Sequence, residues 1–150
     1  TLLAGGAVRL HARFDAQACI DDFAQWRPTT TLLVPATMQA LLQHPAWGAA
    51  DLSSLEFINS GSSIVPRALI EAFHARGVPV AQVYGSTETG PYSIALTADE
   101  AIARVGRVGR TGAGDDVRRR GGEGTLCTGS ADMSQAVQSA SKLSRVMVDR

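Results

Sequence analysis

Cysteine is scarce in this sequence, and its net charge is zero. Its only cysteines, Cys19 and Cys127, are too few and too far apart for a disulfide framework or a zinc knuckle, which fits a reducing compartment. Lysine and arginine total 14, and so do aspartate and glutamate. Because neither sign of charge is in excess, the composition excludes nucleic acid and anionic membranes as expected partners.

Long apolar runs are also missing. No stretch approaches the roughly 20 apolar residues of a spanning helix, and the first residues lack the layout of a signal peptide. We therefore expect a cytoplasmic protein without a membrane span. The 150 residues, 45% hydrophobic and 19% charged, are typical of one globular domain. The chain opens without methionine in the middle of a pattern, so we expect a piece of a longer protein.

Strand-like and helix-like patterns alternate along the first part of the chain. Apolar, β-branched or alternating runs predict strands at 5–14, 29–36, 55–59 and 80–84. Helical spacing between them predicts three helices, the first capped by Asp15 and the second by Thr37. His11 is interpreted as a solvated residue of the first strand. Strands that alternate with helices over short links predict an α/β, doubly wound fold with a mostly parallel sheet and flanking helices.

Polar turns follow the third and fourth predicted strands. The first turn is Gly61-Ser62-Ser63, and the second is Tyr-Gly-Ser-Thr-Glu at 84–88. Pro66 is expected at the first position of the next helix, which places the cap on Val65 and leaves the serines in the loop. In parallel sheets the ligand crevice lies beyond the carboxyl ends of the strands. The two turns should therefore meet at one edge of the sheet and form one crevice.

The second turn carries side chains suited to a nucleotide. The ring of Tyr84 can cover a planar base, and Gly85 lets a ligand approach the backbone. Thr87 can donate its hydroxyl to a phosphate oxygen, and Glu88 offers a hard oxygen ligand for magnesium. Two plainer alternatives stay open from the residues alone: Tyr84 as a half-buried edge aromatic, and Glu88 as a solvated turn acid.

The segment 84–88 resembles the aromatic-Gly-x-Thr-Glu motif of the adenylate-forming acyl-CoA synthetases, the AMP-binding ligases. Further segments, at 31–38, 55–63 and 105–110, resemble the same family in the same order. The family commonly has Gly-Gly-Ala or Gly-Ala-Pro where this chain has Gly61-Ser62-Ser63, and proline where this chain has Thr111. The resemblance covers residue 2 to about residue 110.

The resemblance implies both a fold and a reaction. It implies one subdomain of the large N-terminal domain of an adenylate-forming ligase. ATP and a small-molecule carboxylate would give an acyl-adenylate and pyrophosphate, and the thiol of CoA would then displace AMP, as in fatty acid metabolism. ATP, AMP, Mg²⁺ and CoA are thus the implied cofactors and co-substrates. The missing remainder of the ligase is the implied partner.

The resemblance also assigns roles to individual residues. Thr87 and Glu88 are the catalytic candidates, with Glu88 as the magnesium ligand. The nucleotide-binding candidates are Gly61, Ser62, Ser63, Gln82, Val83, Tyr84, Gly85 and Thr87.

Beyond Thr111 the resemblance fails, which divides the chain into a partial AMP-binding domain at 1–111 and a family-unlike tail at 112–150. The tail is rich in glycine, arginine and serine, so we expect an irregular segment. Its arginines at 118–120 are interpreted as a solvated loop, with phosphate binding as the alternative. Its last part predicts disorder or a marginal amphipathic helix that includes Met147. A coding frameshift near Thr111 is a further hypothesis.

Three parts of the family pattern have no match in this sequence. They are the Ser/Thr/Gly-rich loop with its lysine, which holds the ATP phosphates, the aspartate that binds the ribose, and the catalytic lysine of the small C-terminal domain. We therefore expect a ligase fragment that is inactive as this chain alone. The alternatives are a non-catalytic adenylate-binding remnant and an unrelated doubly wound nucleotide-binding module.

Overall fold

A computed structural model describes residues 2–87, 90–105, 107, 109–111, 117–119, 126–128 and 145–148. Its helices are α1 (Ala16–Gln25), α2 (Pro35–Gln43), α3 (Arg67–His74) and α4 (Ala98–Ala103), with 3₁₀ turns at Leu2–Ala4 and Pro45–Ala49. Its strands are β1 (Ala7–Leu10), β2 (Thr30–Leu32), β3 (Phe57–Ser60), β4 (Val80–Ser86), β5 (Gly90–Ala95), β6 (Arg110–Thr111), β7 (Val117–Arg119), β8 (Leu126–Thr128) and β9 (Arg145–Val148).

One sheet of seven strands organises the described residues, in the order β1-β9-β2-β3-β4-β5-β6. The first five of these strands pair in parallel, and β5 and β6 add an antiparallel edge. β7 and β8 form a separate antiparallel pair. The predicted α/β fold, with a mostly parallel sheet and flanking helices, is confirmed. Because β3 and β4 are parallel neighbours, their carboxyl ends lie at the same edge.

The core consists of apolar side chains from the helices and from the central strands. Those with no exposed surface include Phe23, Leu33, Met38, Leu41, Ile58, Ile70 and Phe73. The ring of Phe73 lies 4.9 Å from the ring of Trp47, at an interplanar angle of 57°. Arg76 lies over Trp47 at 5.4 Å and donates to the carbonyls of Trp47 and Ala50 at 2.7 and 2.8 Å. These contacts fix the end of α3 to the turn Pro45–Ala49.

The helix starts agree with the sequence prediction at one position and differ at two. Asp15 caps α1 as predicted, accepting a hydrogen bond from the amide of Ala18 at 2.9 Å. Thr37 is not a cap: α2 begins at Pro35, and the Thr37 hydroxyl donates to the carbonyl of Val34. Proline fits the first helical position because its missing N–H has no partner there. Pro66 is itself the N-cap of α3, so the helix begins one residue later than predicted.

The first strand is shorter and more exposed than predicted. β1 ends at Leu10, and Val8 and Leu10 retain 36% and 64% of their surface, because the strand lies at the edge of the sheet. His11 is not solvated. Its Nε2 lies 2.8 Å from the buried carboxylate of Asp22, which also accepts from Arg9 at 2.7 Å. A hydrogen bond to the Asp22 side chain of α1 thus replaces the predicted water contact.

The tail contains strands where the sequence predicted irregular structure. Arg118 and Arg119 belong to β7 and pair with Cys127 and Leu126, so these two arginines do not lie in a loop. Strands pair through their backbone N–H and C=O groups, and this pairing does not require buried side chains. The polar composition of the tail was therefore a poor guide to whether it forms strands. Arg145–Val148 is a strand and not part of a helix. Its Val-Met-Val run has high β-propensity, and two neighbouring strands satisfy its backbone.

His74 connects α3 to the start of β4 and should make stability depend on pH. Its Nε2 accepts a hydrogen bond from the amide of Val80 at 3.0 Å, which requires an unprotonated nitrogen. Burial lowers the pKa of His74 below its ordinary value of 6.5, and the charge of Glu71 opposes this only in part. Because the unfolded chain binds the proton more readily, the contribution is complete above pH 6.5 and is lost as pH falls toward the folded-state pKa.

We expect His74→Gln to reduce the acid-side loss of stability. Urea unfolding of the native chain and of the variant between about pH 5 and pH 8 would measure it. The slope of unfolding free energy against pH should be shallower for the variant, and other titrating groups should contribute equally to both. Equal slopes in the two proteins would show that His74 is not responsible.

Candidate functional site

The ends of β3 and β4 position the two predicted turns. Ser60 at the end of β3 pairs with Gln82 of β4, and the chain then leaves β3 through Gly61, Ser62 and Ser63. β4 continues past this point to Ser86. The first turn therefore lies beside the last part of β4.

A cavity of about 430 Å³ opens between these segments. The residues that line it are Ser60, Ser62, Ser63, Ile64, Val65, Gln82, Val83, Tyr84 and Gly85. Six predicted site residues thus share one cavity, and three lining residues were missed: Ser60, Ile64 and Val65. These three flank the first turn directly, so extending that turn by one residue before and two after would have included them. Ile64 is 93% exposed.

Gly61 has a structural reason to be glycine. A Cβ at this position would lie 2.9 Å from Cγ2 of Val83 and closer still to the carbonyl oxygen of Val83. That oxygen belongs to the backbone of β4 and cannot rotate away. Gly61 therefore allows close approach of the two chain segments, whereas the sequence analysis assigned it to the nucleotide.

The two serines of the first turn differ in backbone conformation. Ser62 has a φ of 65°, in the left-handed region that favours glycine. Both Ser62 and Ser63 are exposed. Their hydroxyls add hydrogen-bonding capacity to a cavity whose walls are otherwise largely apolar.

Gln82 lies at the base of the cavity and is tied to a later part of the chain. The residue is buried, and its Nε2 donates to the carbonyl of Arg107 at 2.8 Å. This bond connects β4 to the segment that follows α4, which is the segment that resembles the family's Val-Gly-Arg sequence. Gln82 was predicted to approach the base or the ribose, and its side-chain nitrogen instead has a partner within the protein.

Tyr84 lies within an antiparallel hairpin and not beyond the end of a strand. Tyr84 pairs with Ile94, and Ser86 pairs with Gly90, with a register shift between Tyr84 and Ser86. A bulge at a glycine bends a strand and redirects the neighbouring side chains, which is the effect needed beside a cavity. Tyr84 is half-buried and pairs with β5 on one side, while the pairing of β3 with β4 ends at Gln82, so the alternative of a half-buried edge aromatic stays open.

Of the predicted catalytic residues Thr87 and Glu88, only Thr87 is among the described residues. Thr87 is exposed in the hairpin turn and does not line the cavity. Glu88 lies outside the described residues, so its assignment as metal ligand and catalytic residue stays a prediction. Among the residues that the structure describes, no group of three or more His, Cys, Asp or Glu side chains could hold a metal ion.

Comparison with known proteins identifies the class to which this fold and site belong. A family model described as AMP-binding enzyme matches residues 1–131. The chain therefore belongs to the AMP-binding enzyme family. The division of the chain at residue 111 stays a prediction.

Curated relatives of this chain are acyl-CoA ligases. It is 45% identical over 123 residues to the indoleacetate–CoA ligase of Aromatoleum aromaticum, a match to 82% of this chain and 24% of the relative. It is 38% identical over 124 residues to a feruloyl-CoA synthase of Amycolatopsis sp, covering 83% of this chain and 25% of the relative. The chain thus spans about a quarter of the length of these relatives.

Solved structures of adenylate-forming ligases share the fold. The N-terminal domain of FACL13 from Mycobacterium tuberculosis matches with a TM-score of 0.66 at 26% identity, over 78% of this chain and 29% of that domain. An anthranilate CoA ligase, AuaEII, in complex with anthranoyl-AMP matches with a TM-score of 0.65 at 26% identity, over 75% and 22% of the two chains. In the ranges that the structure describes here, every helix is too short or too polar to cross a membrane.

Proposed function

We propose that this chain is part of an ATP-dependent acyl-CoA synthetase and that the cavity between β3 and β4 holds the adenylate. The observation that carries the proposal is the convergence of the Gly61 turn and the Tyr84 strand on one cavity of about 430 Å³. A cavity of this volume is within the range of small-molecule sites. The family match supports the assignment of AMP to it.

Within this proposal, six of the lining residues have a physical task. The ring of Tyr84 stacks on adenine, and Gly85 leaves room for the ligand against the backbone. The hydroxyls of Ser62 and Ser63 bond to polar edges of the nucleotide. The bond from Gln82 to Arg107 holds the base of the cavity rigid. Val83 contributes apolar surface.

The proposed reaction has two steps. A carboxylate oxygen attacks the α-phosphorus of ATP, forming the acyl-adenylate and breaking the bond to pyrophosphate; the CoA thiol then loses its proton, attacks the acyl carbon and releases AMP. Thr87 in the hairpin turn donates its hydroxyl to a phosphate oxygen on which charge builds up. Glu88 would hold Mg²⁺, which neutralises phosphate charge when bound. The proposal places this chemistry in the cytoplasm, with the remainder of the ligase present.

We further propose that the acyl substrate is an aromatic carboxylate. The two relatives described above that match more than four fifths of this chain are named for indoleacetate and ferulate. A relative named as a medium/long-chain fatty acid ligase, from Mycobacterium tuberculosis, is 39% identical over a shorter stretch of 89 residues. Fatty acid metabolism is therefore the second candidate.

One alternative of the sequence analysis is overturned and one remains. Membership of the AMP-binding family excludes an unrelated doubly wound module. A non-catalytic adenylate-binding remnant differs from the ligase fragment only in the sequence beyond the two ends of this chain. The coding sequence read in all frames around codon 111 and past both ends decides this question, and it also tests the frameshift hypothesis.

Tyr84→Ala should weaken binding of a non-hydrolysable acyl-adenylate analogue. Loss of base stacking on an aromatic ring predicts a decrease of about 1–3 kcal/mol in binding free energy. Calorimetric titration of the analogue into the native chain and the variant measures this difference. Tyr84→Phe is the matched control, since it keeps the ring face and removes only the hydroxyl, and its affinity should stay close to that of the native chain.

A purely structural role for Tyr84 gives a different pattern. Tyr84→Ala would then lower the melting temperature while the folded fraction bound the analogue with native affinity. Circular dichroism melts of both variants, run beside the titrations, separate the two roles. Failure of the native chain itself to bind the analogue would contradict the proposed site.

A further inference from the structure

The helices α1, α2 and α3 lie on one face of the parallel part of the sheet. Each connects two strands, and the three connections run in the same direction across the sheet, so right-handed crossovers place all three helices on one side. The contacts agree, because α1 packs against α2 and α2 packs against α3. Arg9 of β1 reaches Asp22 of α1, and Ser60 of β3 donates to the sulfur of Met38 of α2 at 3.3 Å. Arg9 and Ser60 therefore point toward the helices.

The residues between these positions form the opposite face of the sheet, here called the second face. Side chains alternate along a strand, so the strand neighbours of Arg9 and Ser60 point away from the helices. The register of β1, β2 and β3 extends this face across the sheet. The side chains that belong to it are Val8, Leu10, Thr30, Leu32, Phe57 and Asn59. None of the six is charged, and four of them are apolar.

The second face is open on the side of β1. Along one row of it, Leu10 is 64% exposed, Leu32 and Asn59 are half-buried, and Ala81 of β4 is buried. Exposure of the row thus rises from β4 toward β1. Parallel sheets occur almost only with both faces covered, and exposed apolar surface marks a site of contact with another segment or protein. Within the described ranges, this part of the sheet lacks such a cover.

The size of the second face indicates what can cover it. Four adjacent strands contribute to this part of the sheet, namely β1, β9, β2 and β3. At a spacing of about 4.8 Å, with up to four residues of about 3.3 Å each, they give a surface of roughly 19 by 13 Å, or about 250 Å². Each partner in a stable dimer buries about 800 Å², so a second copy of this chain is a poor match. Two helices of about 10 Å diameter, side by side, span this width.

The length of the relatives indicates where such helices come from. The match to the N-terminal domain of FACL13 covers 29% of that domain, so most of that domain lies outside it. We propose that the second face is an interface with the remainder of the ligase, which covers it with helices whose contact side is apolar and uncharged. The six uncharged side chains fit an amphipathic helix that packs its apolar stripe on the sheet. This inference rests on the proposed status of the chain as part of a ligase, and it does not depend on adenylate binding.

Cysteine labelling tests this interface. Leu10→Cys, in a Cys127→Ser background, should react readily with a maleimide in the 150-residue chain, because Leu10 is exposed there. In a chimera, this chain replaces the matching stretch of the full-length indoleacetate–CoA ligase of Aromatoleum aromaticum. The same cysteine should then react at least about tenfold more slowly, because the remainder of the ligase covers it. Mass spectrometry of the peptide that contains residue 10 gives both rates.

Gln39→Cys is the matched control for this experiment. Gln39 is an exposed residue of α2, on the other side of the sheet, and its labelling rate should be the same in the 150-residue chain and in the chimera. Equal rates for Leu10→Cys in the two proteins would overturn the proposal, as would equal protection of both cysteines in the chimera. Labelling of Leu10→Cys that slows as the concentration of the 150-residue chain rises would assign the second face to a second copy, which also overturns it.

The full-length relative itself provides a test that does not require the chimera to fold. Cysteines at its positions aligned with Leu10 and Gln39 should differ in the same way, the first reacting at least about tenfold more slowly than the second. Comparable labelling at the two positions would contradict the proposed interface. Neither measurement uses ATP or an adenylate analogue, so a failure of the interface is distinguished from a failure of the nucleotide site, which the Tyr84 variants test.

Discussion

The purified 150-residue chain should release no pyrophosphate when supplied with ATP, Mg²⁺ and indoleacetate or ferulate. The family uses one lysine to hold the ATP phosphates and a second in catalysis, and this sequence has a single lysine, Lys142. That residue lies in the part of the sequence that resembles nothing in the family. Without these cations, the charge on the reacting phosphates is not stabilised, and we expect no turnover above a protein-free blank.

A coupled pyrophosphate assay makes this measurement, with the full-length indoleacetate–CoA ligase of Aromatoleum aromaticum as the positive control. Analogue binding by the same preparation shows that the chain is folded and that the assay is not reporting on denatured protein. Carboxylate-dependent release of pyrophosphate would contradict the expectation of inactivity. It would also require a phosphate-binding group that the sequence analysis did not find.

Phe73→Ala should be the most destabilising single truncation in the core. Phe73 has no exposed surface, lies in α3 and contacts the ring of Trp47 at 4.9 Å. Truncation of a buried phenylalanine to alanine removes apolar contacts and leaves a cavity, at a cost of about 3–5 kcal/mol. For a domain of ordinary stability, this is a large part of the free energy of unfolding.

Urea denaturation followed by tryptophan fluorescence measures the effect of Phe73→Ala. Ile102→Ala is the matched control, because Ile102 is also a helical apolar residue but is 58% exposed, and its truncation should cost less than about 1 kcal/mol. Similar losses in the two variants would show that Phe73 does not belong to the core that supports the site.

Local sequence signals predicted the order of elements from β1 to β4 and the general fold. Alternating strands and helices, an Asp15 cap and helical apolar spacing are each encoded within a few residues. Gly77 illustrates the same point: it has a left-handed φ of 78° just after α3, and glycine is the residue most often found in that conformation at the end of a helix. These features follow from neighbouring residues, so a single sequence is enough to identify them.

Features that depend on distant residues could not be predicted in this way. His11 bonds to Asp22 because β1 and α1 pack together, and nothing in the strand pattern indicates that contact. β9 takes its place between β1 and β2 through pairing across more than a hundred residues. From its serine-rich surroundings we predicted a helix or disorder for this segment. Composition indicates which residues are buried, but it does not indicate which strands pair with one another.

The candidate site falls between these two cases. The strand-end turns at Gly61 and Tyr84 can be identified from the sequence, and they contain most of the residues that line the cavity. The sequence did not show that Tyr84 lies inside a hairpin, because this depends on the antiparallel pairing of β4 with β5. Nor could it show that the Gln82 amide has a partner in Arg107, 25 residues later.

The backbone of the first turn limits which sequences this site can sample during evolution. Position 61 has no space for any side chain, and position 62 has a φ of 65°, which costs a residue with a Cβ roughly 1–2 kcal/mol. A library randomised at 61–63 and selected for folding should therefore return glycine at 61 and glycine or asparagine at 62. Position 63 is the one residue of this turn that is free of these two backbone constraints.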